Sequence, residues 1–144
     1  MKLKAPKARF ENVLLIDDNE LDNFINQKIL ESNYFAKHIF VNTSAKSALE
    51  FLNNLVVMGE KGMHNHPQVI FIDINMPLMD GFQFIDHFKK NLESKLNKTK
   101  LVILTSSLNN EDKLKTRAIS KDILFLNKPL KGEMLMDQEA FHLV

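Results

Sequence analysis

The sequence predicts an α/β fold in which a doubly wound sheet of five parallel strands carries helices on both faces. Two observations support this prediction: five short apolar runs recur along the 144 residues, and longer segments with helical spacing separate them. The runs are rich in β-branched residues and do not alternate cleanly with polar ones, which is typical of strands buried on both faces. Alternating strands and helices favour a parallel sheet, and right-handed crossovers then leave few topologies.

The predicted elements follow one another without a repeat or an interdomain linker. The five strands are expected at residues 13–16, 38–41, 69–72, 101–104 and 123–126. Apolar stripes with helical spacing follow the first three strands: Leu21, Phe24, Ile25 and Ile29; Ala45, Ala48, Leu49 and Leu52; Phe82, Ile85 and Phe88. Ser44 is a predicted N-cap, because its hydroxyl can accept a hydrogen bond from an otherwise unpaired helix amide. Residues 57–68 are rich in turn formers and predict an extended loop.

Composition and charge exclude several classes of protein. The length suits one domain, and 19 basic against 18 acidic residues give no bulk argument for binding nucleic acid. No cysteine is present, so disulfides and thiolate metal sites are excluded, in keeping with a cytoplasmic protein. No apolar run is long enough to span a membrane. Residues 1–9 are expected to form a flexible basic arm ahead of a single domain of residues 10–144.

Polar residues stand where four of the predicted strands end. Asp17 and Asp18 follow the first strand, Asp73 the third, Thr105 the fourth and Lys128 the fifth. The carboxyl ends of parallel strands share one edge of a sheet, and open α/β sheets bind ligands there. Acids near a helix start are often only solvated, but four strands that deliver polar groups to one edge favour a functional site.

The chemistry of these residues indicates phosphoryl transfer. Clustered carboxylates repel one another and need protons or a cation at neutral pH. Oxygen ligands favour Mg²⁺, which readily bridges to a phosphoryl group. An aspartate can accept phosphate as an acyl phosphate, while an ammonium and a hydroxyl stabilise the phosphoryl oxygens.

The same residues resemble the motifs of two-component response-regulator receiver domains. The matching pieces are Asp17-Asp18, DINMPLMDG at residues 73–81, LTSS at 104–107 and NKP at 127–129. The resemblance runs from about Asn12 onwards. It implies the strand order 2-1-3-4-5 of the flavodoxin-like fold, to which receiver domains belong. It also implies that the Lys128–Pro129 peptide bond is cis.

The resemblance assigns a role to each matching residue. Asp73 is the implied phosphoacceptor, and Mg²⁺ is implied to bind Asp18, Asp73, the Asn75 carbonyl and, mainly through water, Asp17. Thr105 is the implied switch hydroxyl, Lys128 the phosphate-pairing lysine, and Phe125 the aromatic residue whose rotamer reports activation. Two departures from the family pattern are a longer segment between Asp18 and Asp73, and Ser106 where alanine is common, which leaves Ser106 as a competing hydroxyl.

The function implied is a stand-alone, chemotaxis-regulator-like receiver that catalyses only its own phosphorylation and dephosphorylation. Its phosphoryl donor would be a sensor histidine kinase or a histidine phosphotransfer protein, and phosphorylation would change the face formed by the fourth predicted helix, the fifth strand and the last helix. A monomer, or a weak dimer through that face, is expected. Two alternatives stay open. The first is a metal-dependent phosphohydrolase with an aspartyl nucleophile; Asn75 disfavours it, because the haloacid-dehalogenase type has a second acid two residues after the nucleophile. The second is a degenerate receiver that binds partners without phosphate.

Overall fold

The computed structural model describes residues 7–141 and contains one parallel five-stranded sheet with helices on both faces. The strand order is β2-β1-β3-β4-β5, and all four pairings are parallel. The strands are β1 (Phe10–Ile16), β2 (Ala36–Asn42), β3 (Val69–Ile72), β4 (Lys100–Thr105) and β5 (Leu124–Asn127). The predicted fold class and strand order are therefore confirmed, and all five predicted runs lie on strands, with boundary shifts of a few residues.

Short polar residues begin the longer helices. The helices are α1 (Glu20–Ser32), α2 (Ala45–Val57), α3 (Glu60–Met63), α4 (Gly81–Asn91), α5 (Asn110–Ile119) and α6 (Gly132–Leu135). The Ser44 hydroxyl accepts a hydrogen bond from the Ser47 amide, which confirms the predicted N-cap of α2. Asp80 and Gln83 form a reciprocal capping box at the start of α4. The cap fixes where α4 begins, directly after the loop that follows β3.

Each strand sends alternate side chains into one of two cores, because successive residues of a strand point to opposite faces. Leu14 and Ile16 of β1 lie in the core beneath α2, α4 and α5. Val13 and Leu15 lie in the other core, beneath α1 and α6, where four phenylalanine rings also pack. Because helices cover both faces of the sheet, polar side chains can gather at the carboxyl ends of its strands.

Helix α1 turns a different face to the sheet from the one its apolar residues predicted. Its buried residues are Asn23, Asn26 and Leu30. Of the predicted stripe, Leu21 is 66% exposed and Phe24 is 59% exposed. The side-chain amide of Asn23 explains this orientation, because it donates a buried hydrogen bond to the Asp17 carbonyl and holds the start of the helix against β1. The stripe prediction was therefore wrong for Leu21, Phe24 and Ile25, whereas Ile29 packs against the core as predicted.

Two segments differ in detail from expectation. Residues 57–68 are not one extended loop, because α2 continues to Val57 and the one-turn helix α3 follows Gly59, whose φ of +62° suits glycine. The last helix of the described residues, α6, has only four residues. The extra helix shifts the numbering, so the predicted helices four and five correspond to α5 and α6.

The predicted N-terminal arm lies partly outside the described residues, which begin at Lys7. Arg9, the last residue of that arm, donates a hydrogen bond to the Leu135 carbonyl over 2.7 Å. Its guanidinium also lies 5.6 Å from the centroid of the Phe141 ring. The flexibility of residues 1–6 stays a prediction. Across residues 7–141, no helix combines the length and the apolar character needed to cross a membrane.

Candidate functional site

Three carboxylates meet at the carboxyl ends of β1 and β3. Ile16 and Ile72 are paired across the two strands, so the residues that follow them, Asp17 and Asp73, are neighbours. Both are buried, whereas Asp18 is exposed. Each of the three aspartates offers a carboxylate oxygen, and these oxygens lie within 4.8 Å of one another. The structure thus brings together the three acids that the sequence predicted.

Local hydrogen bonds fix Asp17 from three directions. Its amide donates to the Asn42 carbonyl of β2 over 3.2 Å, which continues the pairing of the strands. One carboxylate oxygen, Oδ1, accepts from the Asn19 amide over 2.9 Å. Its carbonyl accepts from the Asn23 side chain over 2.8 Å. These bonds orient the second carboxylate oxygen, Oδ2, to the site.

Asp73 is held just as closely. Its amide donates to the Ile16 carbonyl over 3.1 Å, and its Oδ1 accepts from the Asn75 amide over 3.1 Å. Gly81, the first residue of α4, packs directly on the loop that carries Asp73. A Cβ at position 81 would lie 2.6 Å from the Asp73 carbonyl oxygen and 2.7 Å from the Ile74 Cα. Only a residue without a side chain fits there, so Gly81 helps to set the position of Asp73.

Lys128 crosses the site from the end of β5 and joins carboxylates from three elements. The Lys128–Pro129 peptide bond is cis, as the resemblance implied. The Lys128 Nζ lies 2.5 Å from Asp17 Oδ2, 2.8 Å from Asp22 Oδ2 and 3.0 Å from Asp73 Oδ2. The lysine side chain is only 11% exposed, so these contacts replace most of its hydration.

Asp22 is a member of this cluster that the sequence reasoning missed. It lies in the first turn of α1, where its amide donates to the Asn19 side chain that caps the helix. A signal was present in the spacing, because Asn19 is a good N-cap and an acid three residues later lies within the same turn. That turn follows Asp18 directly, so Asp22 starts close to the carboxyl end of the sheet.

The electrostatics of the cluster follow from its burial and its hydrogen bonds. Burial raises the pKa of the Asp17 carboxyl above its usual value, although hydrogen bonds from Lys128 and the Asn19 amide act in the opposite direction. Burial also acts to lower the pKa of the Lys128 ammonium, but hydrogen bonds to the three carboxylates outweigh it and raise that pKa. Lys128 therefore stays charged at neutral pH and serves as the resident cation among the acids.

Thr105 and Ser106 lie in different environments at the end of β4. Thr105 is fully buried, and its hydroxyl oxygen accepts from the Ser107 amide over 3.2 Å, whereas Ser106 is exposed. The Thr105 carbonyl accepts from the Lys128 amide over 2.8 Å, which ties the end of β4 to the residue that carries the site's ammonium. The backbone thus connects Thr105, and not Ser106, directly to the cluster.

Phe125 lies on β5, opposite Ile103 of β4, and is half-buried. Its ring packs against the core beneath α2, α4 and α5. The Lys113 ammonium of α5 lies 5.8 Å from the ring centroid, close enough for a cation–π contact. The ring therefore stands between the interior and the surface formed by α5 and β5, away from the carboxylate cluster.

The donor set fits a hard divalent cation. Among residues 7–141, the Asp18 carboxylate makes no hydrogen bond or ion pair, and the Asn75 carbonyl accepts no hydrogen bond. An Asp18 carboxylate oxygen lies within 4.8 Å of oxygens of Asp17 and Asp73, and oxygen ligands without nitrogen or sulfur are those that Mg²⁺ prefers. Asp17, Asp18, Asp73 and the Asn75 carbonyl are therefore the groups that could hold such an ion.

The sequence is similar to that of known response regulators. Residues 13–139 match the profile of the family described as the response regulator receiver domain. The chain is 27% identical over 100 residues to the response regulator Rcp1 of Synechocystis sp., covering 69% of this chain and 65% of Rcp1. It is 36% identical over 77 residues to the protein PilG of Pseudomonas aeruginosa, covering 54% of this chain and 55% of PilG. The alignments thus span less than two thirds of either relative.

The fold is similar to that of a solved member of the same class. The crystal structure of a two-component response regulator from Cytophaga hutchinsonii superposes with a TM-score of 0.78 at 35% identity, covering 90% of this chain and 92% of that one. The matching profile, the strand order and this neighbour agree with one another. The chain belongs to the family of response regulator receiver domains, which serve two-component signalling.

Proposed function

We propose that this receiver domain accepts a phosphoryl group on Asp73 from the phosphohistidine of a sensor histidine kinase or a histidine phosphotransfer protein in the cytoplasm. The observation that carries the proposal is the position of the Lys128 Nζ, 3.0 Å from Asp73 Oδ2 within a cluster of buried carboxylates. An ammonium held there by the end of β5 can pair with phosphoryl oxygens as they arrive, which is the electrostatic role that phosphoryl transfer needs.

In the transfer step, an Asp73 carboxylate oxygen attacks phosphorus as the bond between phosphorus and the donor's imidazole nitrogen breaks. The electron pair of that bond stays with the imidazole, and the product is an acyl phosphate on Asp73. Asn75 and Lys128 hold the two oxygens of Asp73, which fixes the carboxylate for the attack. Asp18, Asp73, the Asn75 carbonyl and, mainly through water, Asp17 would hold Mg²⁺, which when bound would supply positive charge to neutralise the phosphoryl oxygens.

The proposed output is a change at the surface of α5, β5 and α6. Phosphorylation adds roughly −1.5 to −2 charges and new acceptor oxygens at Asp73. To donate to one of these oxygens, the Thr105 hydroxyl gives up its present position beside the Ser107 amide. The space it vacates beside β4 admits the Phe125 ring, and a partner that distinguishes the two positions of the ring reads the signal.

Incubation with Mg²⁺ and acetyl phosphate, followed by intact-mass measurement, tests the function. We expect one phosphoryl adduct on the wild type, which hydroxylamine removes because it cleaves acyl phosphates, and none on Asp73→Asn. Asp86→Asn is the matched control, since Asp86 lies on α4 and pairs only with Lys90 among residues 7–141. An unmodified wild type would support a receiver that binds without phosphate. Turnover of unrelated phosphoesters would support the phosphohydrolase instead.

A further inference from the structure

The hydrogen-bonding capacity of Lys128 is full in this structure. An ammonium has three N–H donors, and three carboxylate oxygens lie within 3.0 Å of the Lys128 Nζ. No donor is left for a phosphoryl oxygen. Phosphorylation frees the donor that Asp73 Oδ2 now holds, but an ammonium that moves towards the phosphoryl oxygens also has to leave Asp17 or Asp22.

The three carboxylates differ in how readily they can let go. Once phosphorylated, Asp73 is an acyl phosphate and no longer competes for the ammonium as a free carboxylate. The Asp17 side chain is 6% exposed, so water does not readily replace a hydrogen bond that is lost there. Asp22 is 34% exposed, and water can replace the lost hydrogen bond there. An unpaired buried charge is strongly unfavourable, whereas exposed ion pairs contribute little. The bond to Asp22 therefore breaks more readily than the bond to Asp17.

We infer that Asp22 is a releasable counter-ion that holds Lys128 in the unphosphorylated state and yields it to the phosphoryl group on Asp73. This inference rests on the proposed phosphorylation. Asp22 is a positioning residue, because it acts through the lysine and does not bind the reacting atoms. By competing for the ammonium it favours the unphosphorylated state, and so it sets how tightly the site holds a phosphoryl group.

The distances agree with this role. The bonds of 2.8 Å to Asp22 and 3.0 Å to Asp73 share the Nζ atom, so the ammonium stands between the two carboxylates. A phosphoryl group on Asp73 brings more negative charge to one side of the lysine and draws the ammonium away from Asp22. The backbone of the first turn of α1 is held by the Asn19 cap, which accepts a hydrogen bond from the Asp22 amide over 3.0 Å.

The test uses beryllofluoride with Mg²⁺ as a stable mimic of the phosphoryl group on Asp73. Asp22→Asn keeps the size and an acceptor oxygen of the side chain but removes its charge. We expect this variant to bind beryllofluoride about fivefold more tightly than the wild type, the ratio that a partly exposed ion pair supports. Glu20→Gln is the matched control, since it removes the same charge from the same turn of α1 and Glu20 makes no bond to Lys128. Its affinity should stay near that of the wild type.

A crystal structure of the wild type with beryllofluoride supplies the second readout. The Lys128 Nζ should contact a fluorine and should lie more than about 3.5 Å from Asp22, beyond hydrogen-bonding distance. The inference is overturned if the bond to Asp22 persists while that to Asp17 is lost. It is also overturned if Asp22→Asn binds no more tightly than the wild type, or if Glu20→Gln gains as much. A wild type that fails to bind beryllofluoride would overturn the proposed function together with the inference.

Discussion

Replacing Lys128 by methionine should destabilise the folded protein strongly, even without phosphate or metal. Methionine keeps an aliphatic side chain of similar length and removes the ammonium, so the change isolates the charge. Asp17 and Asp73, with side chains only 6% and 7% exposed, would then remain buried without their cation. The variant tests directly whether Lys128 neutralises the carboxylate cluster.

The expected loss follows from the burial of each contact. Removing one partner from a buried charge pair costs about 3–5 kcal/mol, and the contact to the more exposed Asp22 adds no more than about 1 kcal/mol. We expect the free energy of unfolding to fall by about 3 kcal/mol, at the lower end of this range, because the unpaired Asp17 carboxyl can take up a proton. That is a large part of a typical stability of about 5–15 kcal/mol, and for a domain of this length it lowers the Tm by roughly 10 °C.

The loss should depend on pH with a definite sign. Burial already raises the pKa of Asp17 in the folded protein, and removing the ammonium removes a contact that lowers it. A carboxyl whose folded-state pKa is raised favours folding while protonated and loses that stabilisation as the pH rises through the folded-state pKa. The deficit of Lys128→Met relative to the wild type is therefore largest at neutral pH. It should shrink as the pH falls towards about 4, the ordinary range of aspartate.

Urea unfolding followed by circular dichroism, in EDTA and at several pH values, measures this deficit. Lys90→Met is the matched control, because its ion pair with Asp86 has side chains that are 70% and 60% exposed and should contribute less than about 1 kcal/mol. Lys128→Arg, which keeps the charge, should recover part of the loss. If Lys128→Met is as stable as Lys90→Met at pH 7, the ammonium does not neutralise the buried acids and the reasoning fails.

Three further predictions concern the metal, the backbone and the switch. Asp18→Ala should lose measurable Mg²⁺ binding by calorimetry and lose phosphorylation while keeping its fold; unchanged affinity would remove Asp18 from the ligand set. Gly81→Ala should lower the free energy of unfolding in urea by about 1–3 kcal/mol, since the added Cβ would clash with the Asp73 backbone. Gly132→Ala should lower it less, because the added Cβ would meet only the Asn33 side chain. Thr105→Ala should abolish the amide NMR shifts that beryllofluoride causes around Phe125; their loss in Ser106→Ala instead would identify Ser106 as the switch.

The strand ends of the site were predictable because they depend on local signals. An apolar run buried on both faces is visible in a sequence, and the residue that follows it must reach the carboxyl edge of a parallel sheet. This logic places Asp17, Asp18 and Asp73 at one edge of the sheet from the sequence alone, and the structure brings their oxygens within 4.8 Å of one another. Lys128 could be predicted in the same way, as the residue next to the end of β5.

The orientation of helix α1 could not be predicted from its hydrophobic periodicity. Hydrophobic periodicity assigns its apolar stripe to the interior, yet Leu21 and Phe24 lie in solvent and Asn23 lies against the sheet. The rotation of the helix follows from a polar requirement that hydrophobic periodicity does not register: the Asp17 carbonyl needs a buried donor, which the side chain of Asn23 supplies. The same rotation turns Asp22, one residue earlier, towards the lysine that arrives from the end of β5, 106 positions along the chain. Asp22 therefore reads as an ordinary first-turn acid in the sequence, and its role emerges only when the folded sheet brings Lys128 to it.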